Sequence, residues 1–416
     1  DKGGNAWVGT VIDGFYVIDM HNFSVTRTLD IPLLSGNTVR NGIQSIYCDR
    51  ENNSVWIGLY NQGMCYYHPS MNKIVLYNKK MINGDWKGEE IRCMLETSKG
   101  EILMGTTQGV YRYEPETKSM NRFYHEFSQK NCRVLYEDSK KRVWVGTYHD
   151  GLYCIDHGKV QSYDYPDTDY QNELDFSNIR VMVEDSSGRL WVSIYGGVGL
   201  FNPENGQINL LSEQFPELKK YKVANALAID NRSRLVVGSD NGLYIYDPAT
   251  NKIWIPEEDG QANSIFNQGS IKYNQILKDH EGTLWFATQY GLSVLTYNGQ
   301  SYTLGKEEGL SKAILNVVED KNHDIWISTV TSIYKIKVDR RADKYSFHVI
   351  SCLSEDEIRQ DDLYSFPSLM TRDNQLFLGL MNGFIAFSPE NMIDNQCLNR
   401  PLFTLSLIHI SEPTRP

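Results

Sequence analysis

Apolar residues fall in short continuous runs such as Val143-Trp144-Val145-Gly146, each bounded by polar turn residues, and no useful length of chain keeps a helical period. Runs of this kind suit strands covered on both faces. They are arranged in a repeating unit. An apolar strand leads into an acidic turn, a Trp-centred strand follows, and a Gly then opens an aromatic strand. One copy runs from Asn178 through Asp185 and Trp191 to Gly199 and Pro203; another runs from Gln275 through Asp279 and Trp285 to Gly291 and Leu295. The anchor position holds Trp7, Trp56, Leu103, Trp144, Trp191, Val236, Trp285, Trp326 and Phe377 in turn, at steps of 41 to 51 residues. That makes nine repeats, the first lacking its leading strand. A Gly follows each anchor by six to eight residues, except that Ser332 stands there in the eighth repeat, so that turn is expected to differ.

Each part of the unit has a physical role. In Asp185-Ser-Ser-Gly188 the Asp caps its own backbone and the Gly accepts positive φ. A second turn, as in Asp247-Pro-Ala-Thr-Asn251, leads to a variable fourth strand such as Lys252-Ile-Trp-Ile255. Four strands in about 46 residues make one blade of a β-propeller. A single blade leaves both faces bare, whereas a ring of blades covers them and protects the edges. The expected fold class is therefore all-β. Rings usually close with about four to eight blades, and residues 79–90 form a polar stretch between the second and third repeats. The expected division is the last two blades of a first propeller at 1–85 and a complete seven-bladed propeller at 91–390.

Composition narrows the function classes. The 416 residues are 41% hydrophobic, 22% charged and 12% aromatic, with 26 Tyr, which excludes a disordered chain. A net charge of −11 lacks the basic footprint of a nucleic-acid binder. It also disfavours a strongly anionic ligand, unless a local basic patch overrides it. No apolar run approaches the roughly 18 residues that cross a bilayer. The seven cysteines include no C-x-x-C pair and most lie in apolar stretches, so they read as buried thiols. The chain opens in mid-motif at Asp1-Lys2, as a fragment would, and Leu405 to Pro416, which includes His409, reads as a translated sequencing adapter to be set aside.

The repeat resembles the two-component regulator propeller (Reg_prop) repeat of hybrid two-component sensor histidine kinases in gut Bacteroidetes. The resemblance covers nearly all of residues 3–404. It is carried best by Glu308-Gly-Leu-Ser311 leading into Val317-Val-Glu-Asp320 and Ile325-Trp-Ile-Ser-Thr329, and by the ending Leu376 to Asn391. Leu103, Val236 and Ser332 depart from the motif. The resemblance implies that residues 398–404, with Pro401-Leu-Phe-Thr404, begin a tyrosine-rich β-sandwich of the Y_Y_Y type. It also implies a periplasmic, homodimeric ectodomain of an inner-membrane protein. Such an ectodomain would sense a glycan-derived oligosaccharide, regulate polysaccharide-utilisation genes and need no cofactor. No kinase motif lies in this chain.

Candidate chemistry is sparse. Asp49, Asp138, Asp185, Asp230, Asp279 and Asp320 recur six or seven residues before the anchor, and such regularity points to a structural turn. Glu137-Asp138, Glu184-Asp185 and Glu319-Asp320 are adjacent on strands, so their side chains point to opposite faces and do not converge on one bond. The histidines lack ligand spacing, so no metal is expected, and no phosphate loop is present. Just after the Trp strand, however, several repeats place a Tyr in the next loop: Tyr60, Tyr148, Tyr195 and Tyr290. Asn61, Gln62, His149, Asp150, Asp240, Asn241, Gln289 and Asn382 occupy equivalent loops. Two readings stand. These aromatics pack neighbouring blades at the rim, or they stack on sugar rings while the polar groups fix orientation. The alternatives to a sensor are a propeller-fold polysaccharide lyase or glycosidase and a protein-binding scaffold.

Overall fold

The computed structural model describes residues 4–11, 15–28, 42–49, 54–59, 63–67, 75–165, 174–256, 271–310, 312–341, 344–353 and 367–392. Residues 398–404 and the tail 405–416 lie outside them. Seven antiparallel sheets form a closed seven-bladed propeller. Their first strands are Ile91–Glu96, Cys132–Glu137, Asp175–Glu184, Ala224–Ile229, Tyr273–Lys278, Asn316–Glu319 and Ser368–Met370. Each first strand packs against the first strand of the next sheet, and Ser368–Met370 packs back on Ile91–Glu96, so these strands line the axis. Two three-stranded sheets precede the ring, led by Asn5–Gly9 and Ile43–Asp49, and they share an apolar cluster of Ile43, Val55 and Ile57 with Trp7 and Val17.

The ring is closed by a strand from the other end of the chain. By sequence, Val75–Asn78 falls with the first two blades. In the structure it is the outer strand of the seventh sheet, paired antiparallel to Gly383–Phe387. Tyr77 stacks on Phe384 with ring centroids 4.8 Å apart. Gly383 is required at this seam, because a Cβ there would overlap the Tyr77 carbonyl oxygen. A short strand, Asn83–Gly84, then pairs in parallel with Ser119–Arg122 of the first sheet.

The anchor residues do the packing. Each points into the next sheet: Leu103 meets Leu135, Trp144 meets Ile179 and Val192, and Trp191 meets Leu227 and Val237. Val236 meets Ile276, Trp285 meets Ile325, and Trp326 meets Leu376. Phe377 of the seventh sheet packs on Ile91, Met104 and Tyr111 of the first, so an apolar cluster fills every interface between neighbouring blades of the ring.

The acidic turn fixes each anchor. Asp138 Oδ1 accepts the backbone N–H groups of Lys140 (3.0 Å) and Arg142 (2.9 Å). Its Oδ2 accepts Arg142 Nε at 2.7 Å and the indole N–H of Trp144 at 2.9 Å. Asp185 repeats this set with Ser187, Arg189 and Trp191, and Asp279 and Asp320 likewise accept the indoles of Trp285 and Trp326. Where the anchor has no indole N–H, the carboxylate is dispensable. Thr97 precedes Leu103 and Thr371 precedes Phe377, each taking its turn N–H on a hydroxyl instead. In four blades a Glu just before the turn residue clasps the previous blade: Glu137 accepts Ser98 N at 2.6 Å, Glu184 accepts Ser139 N at 2.6 Å, Glu319 accepts His280 N at 2.9 Å, and Glu96, beside Thr97, accepts Arg372 N at 2.8 Å. The last of these ties the seventh blade to the first.

Burial pushes the Asp185 carboxyl upward, but hydrogen bonds from Trp191, Arg189 and Ser187 outweigh it and hold the group below the usual carboxylate range. A depressed folded-state pKa contributes stability that is complete above the unfolded value of about 3.9 and is lost as pH falls through the lower folded value. Asp185→Ala leaves the buried Trp191 indole N–H and three part-buried donors without their acceptor, and the expected cost is about 3 kcal/mol by denaturant unfolding at pH 7. Asp185→Asn should flatten the loss of stability below about pH 4. Hydrogen exchange followed by mass spectrometry should show the amides of residues 75–78 exchanging together with those of 383–387. Gly383→Ala should speed both. Co-exchange of 75–78 with residues 54–67 instead would contradict the closure.

Candidate functional site

Antiparallel order divides the ring into two faces. The acidic turns and the turns between third and fourth strands lie on one side. The loops after the anchor strand and the crossings between blades lie on the other. On the loop side a buried hydroxyl ties four of the hairpins: Thr106 Oγ1 donates to Gly109 O (3.0 Å), Thr147 Oγ1 to Gly151 O (2.8 Å), Ser239 Oγ to Gly242 O (2.9 Å) and Thr288 Oγ1 to Gly291 O (2.9 Å). In the sixth blade Thr329 N donates to Ser332 O at 2.9 Å, and Ser332 does without the positive φ of Gly109, Gly242 and Gly291. These ties leave the residues between them projecting from the ring.

Most of the loop residues singled out by sequence are on this face. Tyr148 is 36% exposed, Tyr195 37% and Tyr290 60%. Tyr60, with Asn61 and Gln62, lies outside the described residues. His149 sits at φ 74° with its ring 3.8 Å from that of Tyr148, and its Nδ1 is 2.8 Å from Oδ2 of the buried Asp175. Asp240 accepts Asn225 Nδ2 at 2.7 Å and pairs with Lys272 Nζ at 3.2 Å. Asn241 donates through Nδ2 to Lys220 O at 2.9 Å. Gln289 N donates to Lys272 O at 3.1 Å, and Tyr290 N to Thr288 Oγ1 at 3.1 Å. Asp150 pairs with Lys130 at 3.1 Å. Tyr148 and Tyr195 stand on neighbouring blades, the second and the third. Tyr290 stands on a separate blade.

A set of inner-strand residues belongs to the same face and was not singled out from the sequence. Arg92, Arg133, Arg180, Asn225 and Asn274 each stand five residues before the turn residue of their blade. Each is the extra residue of a β-bulge. Cys132 pairs with Thr147 and Val134 with Gly146, leaving Arg133 out; Ile179 and Val181 leave out Arg180, and Ile91 and Cys93 leave out Arg92. Asn225 and Asn274 are left out in the same way. A bulge turns its side chain away from the strand's alternation. Arg133 lies over the Tyr148 ring at 4.5 Å, and Arg180 Nη2 donates to Asn225 Oδ1 at 3.0 Å. All five positions are polar, at one fixed register in their strands, but the sequence does not show the register shift that turns them to this face.

The turn face holds clasps. Glu319 Oε1 accepts from Nδ1 of both His280 and His323, whose rings stack at 3.5 Å, and the three ligand atoms lie within 4.8 Å of one another. This trio is the sequence-distant exception to the scattered histidines. A groove of about 350 Å³ runs between the first and second blades, but its Arg112 and Glu101 pair with each other, and none of the loop tyrosines lines it.

No protein-family model matches this chain, and no curated protein sequence does. Among solved structures it is similar to the extracellular domain assigned to a hybrid two component system of B. thetaiotaomicron, with a TM-score of 0.67 and 20% identity over 94% of this chain and 50% of that one. A second such extracellular domain from B. thetaiotaomicron gives 0.59 and 19% identity over 94% of this chain and 52% of that one. Virginiamycin B lyase from Staphylococcus aureus gives 0.53 and 12% identity over 76% of this chain and 98% of the lyase. The chain thus spans about half the length of the two extracellular domains, and at these identities the likeness establishes its β-propeller fold.

Proposed function

We infer that this chain is part of the ligand-sensing ectodomain of a hybrid two-component sensor, and that an oligosaccharide is its ligand. The observation that carries the reading is the loop face itself. Tyr148 and Tyr195 stand more than a third exposed on the neighbouring second and third blades, with the polar groups of His149, Asp240 and Asn241 on the same face. Rings of this kind stack on the apolar faces of sugars, and the polar groups orient the hydroxyls. The likeness to two extracellular domains of two-component systems supports the cellular role. In that role the ectodomain is periplasmic and dimeric, and it reports glycan breakdown products to polysaccharide-utilisation genes. Signalling requires that the ligand bind two arrangements of the dimer with unequal affinity.

One observation favours a second reading. His149 is half-exposed and its Nδ1 is held by the buried Asp175, an arrangement that orients an imidazole to move a proton at Nε2. A propeller lyase or glycosidase would use it. Oligosaccharide calorimetry on the whole ectodomain separates the readings. Heat of binding without product is expected for the sensor, and product formation abolished by His149→Ala for the enzyme. The double variant Tyr148→Ala/Tyr195→Ala should weaken binding about tenfold or more. Undiminished affinity in that variant would remove the loop face from the account and leave rim packing as the role of these rings.

A further inference from the structure

The bulge position has a structural use in two blades. Asn225 Nδ2 reaches Tyr273 O of the next blade at 3.3 Å, and Asn274 Nδ2 reaches Ile314 O at 2.7 Å. A short amide is sufficient for that link. The three preceding blades carry arginine at the same register, and the arginines are poorly supplied with acceptors. The Nε atoms of Arg92, Arg133 and Arg180 are all buried without a hydrogen-bond partner. Arg180 donates to a neutral amide, and Arg133 meets the Tyr148 ring. Nearby carboxylates are committed elsewhere: Asp175 to His149, Asp150 to Lys130, and Asp240 to Asn225 and Lys272. Glu90, at 2.9 Å from Arg92, is the one carboxylate that pairs with this set among the described residues.

The three cations also oppose one another. Burial lowers the pKa of Arg133 to about 10, and Arg180 and Arg92 push it the same way. Burial lowers that of Arg180 as well, against the nearby Asp240, Tyr148 and Tyr195. A chain of net charge −11 has thus gathered positive charge at one mouth of its channel. Such a local field outweighs the net charge for a ligand that enters it. Guanidinium forks match two oxygens of a carboxylate or sulfate at once, which an ammonium does not.

We propose that Arg133 and Arg180, with Arg92 beside them, form an anion-binding site at the loop-side mouth of the ring, and that the ligand carries a carboxylate or sulfate group there. The site places its charges next to Tyr148 and Tyr195, so a uronic acid or sulfated sugar would set its ring on the tyrosines and its anionic group on the arginines. The sugar part of this inference rests on the reading of the loop face given above; the anion site does not.

The full chain can be tested with inorganic sulfate and with three disaccharides: a uronic-acid one, a sulfated one and a neutral counterpart. At constant ionic strength, sulfate should raise the melting temperature of the wild type by a few degrees relative to chloride. Arg133→Gln should melt at or above the wild type without sulfate, because a repulsion is removed, and should lose the sulfate shift. Arg133→Lys keeps the charge but not the fork, and should retain part of the shift. By calorimetry at least one acidic disaccharide should bind tenfold or more tightly than the neutral one, with the difference abolished in Arg133→Gln/Arg180→Gln; which acidic sugar binds identifies the group. A wild type indifferent to sulfate, with Arg133→Gln and Arg133→Lys both melting well below it, would make the arginines blade staples and overturn the proposal. Equal affinity for neutral and acidic sugars would also overturn it while leaving the oligosaccharide sensor intact. A sulfate shift with no affinity for any sugar would uphold the anion site and remove the sugar.

Discussion

A buried carboxylate that accepts an indole N–H is the contact on which the ring depends. It joins a local event, the turn between first and second strands, to a long-range one, the insertion of the anchor into the next blade. Asp138 and Asp185 each gather two backbone N–H groups, an arginine and a tryptophan, so a charge that would be costly alone is fully satisfied. The rule is visible where it lapses. Leu103 and Phe377 offer no N–H, and threonine replaces the aspartate before each. Val236 keeps its aspartate because Arg234 still uses it, at 2.7 Å.

Committing the turns to structure determines where chemistry is free to develop. The turn face is spent on Asp–Trp contacts and on glutamate clasps that run from blade to blade. The loop face ties its hairpins with small hydroxyls, and the residues between those ties project from the ring. Bulges then deliver inner-strand side chains to that face, and the residue type at the bulge decides the outcome. Asparagine links to the next blade, whereas arginine leaves charge at the mouth. The propeller is thus a mount with one face of projecting side chains, the arrangement expected when function lies on loops held by a scaffold.

Much of this was legible in the residues. The spacing of Trp144, Trp191, Trp285 and Trp326 specified blades, and Asp recurrence specified turns, because both signals are local and repeat. The placement of Tyr148 and Tyr195 on one face followed from their shared position in the loop after the Trp strand, although that strand is the second of its sheet and not the innermost. Two features escaped for physical reasons. Val75–Asn78 sits next in sequence to the N-terminal unit, and nothing in four residues says that their partner lies some three hundred positions away at Gly383–Phe387. The bulges were invisible because a one-residue register shift leaves no mark on composition, so Arg133 and Arg180 read as ordinary strand residues. The meeting of His280 with His323 was hidden likewise, since each occupies a different position within its own turn.

The central claim is that one face is structural and the other receives the ligand. Hydrogen exchange of the full chain, with and without a saturating uronic-acid or sulfated disaccharide, measures this directly. The account predicts slowed exchange at 90–92, 131–133 and 178–180 and in the loops at 147–151, 195–197 and 239–242, with the turns at 138–142, 185–189 and 279–283 unchanged. Protection concentrated in those turns, or spread evenly over both faces, would contradict it.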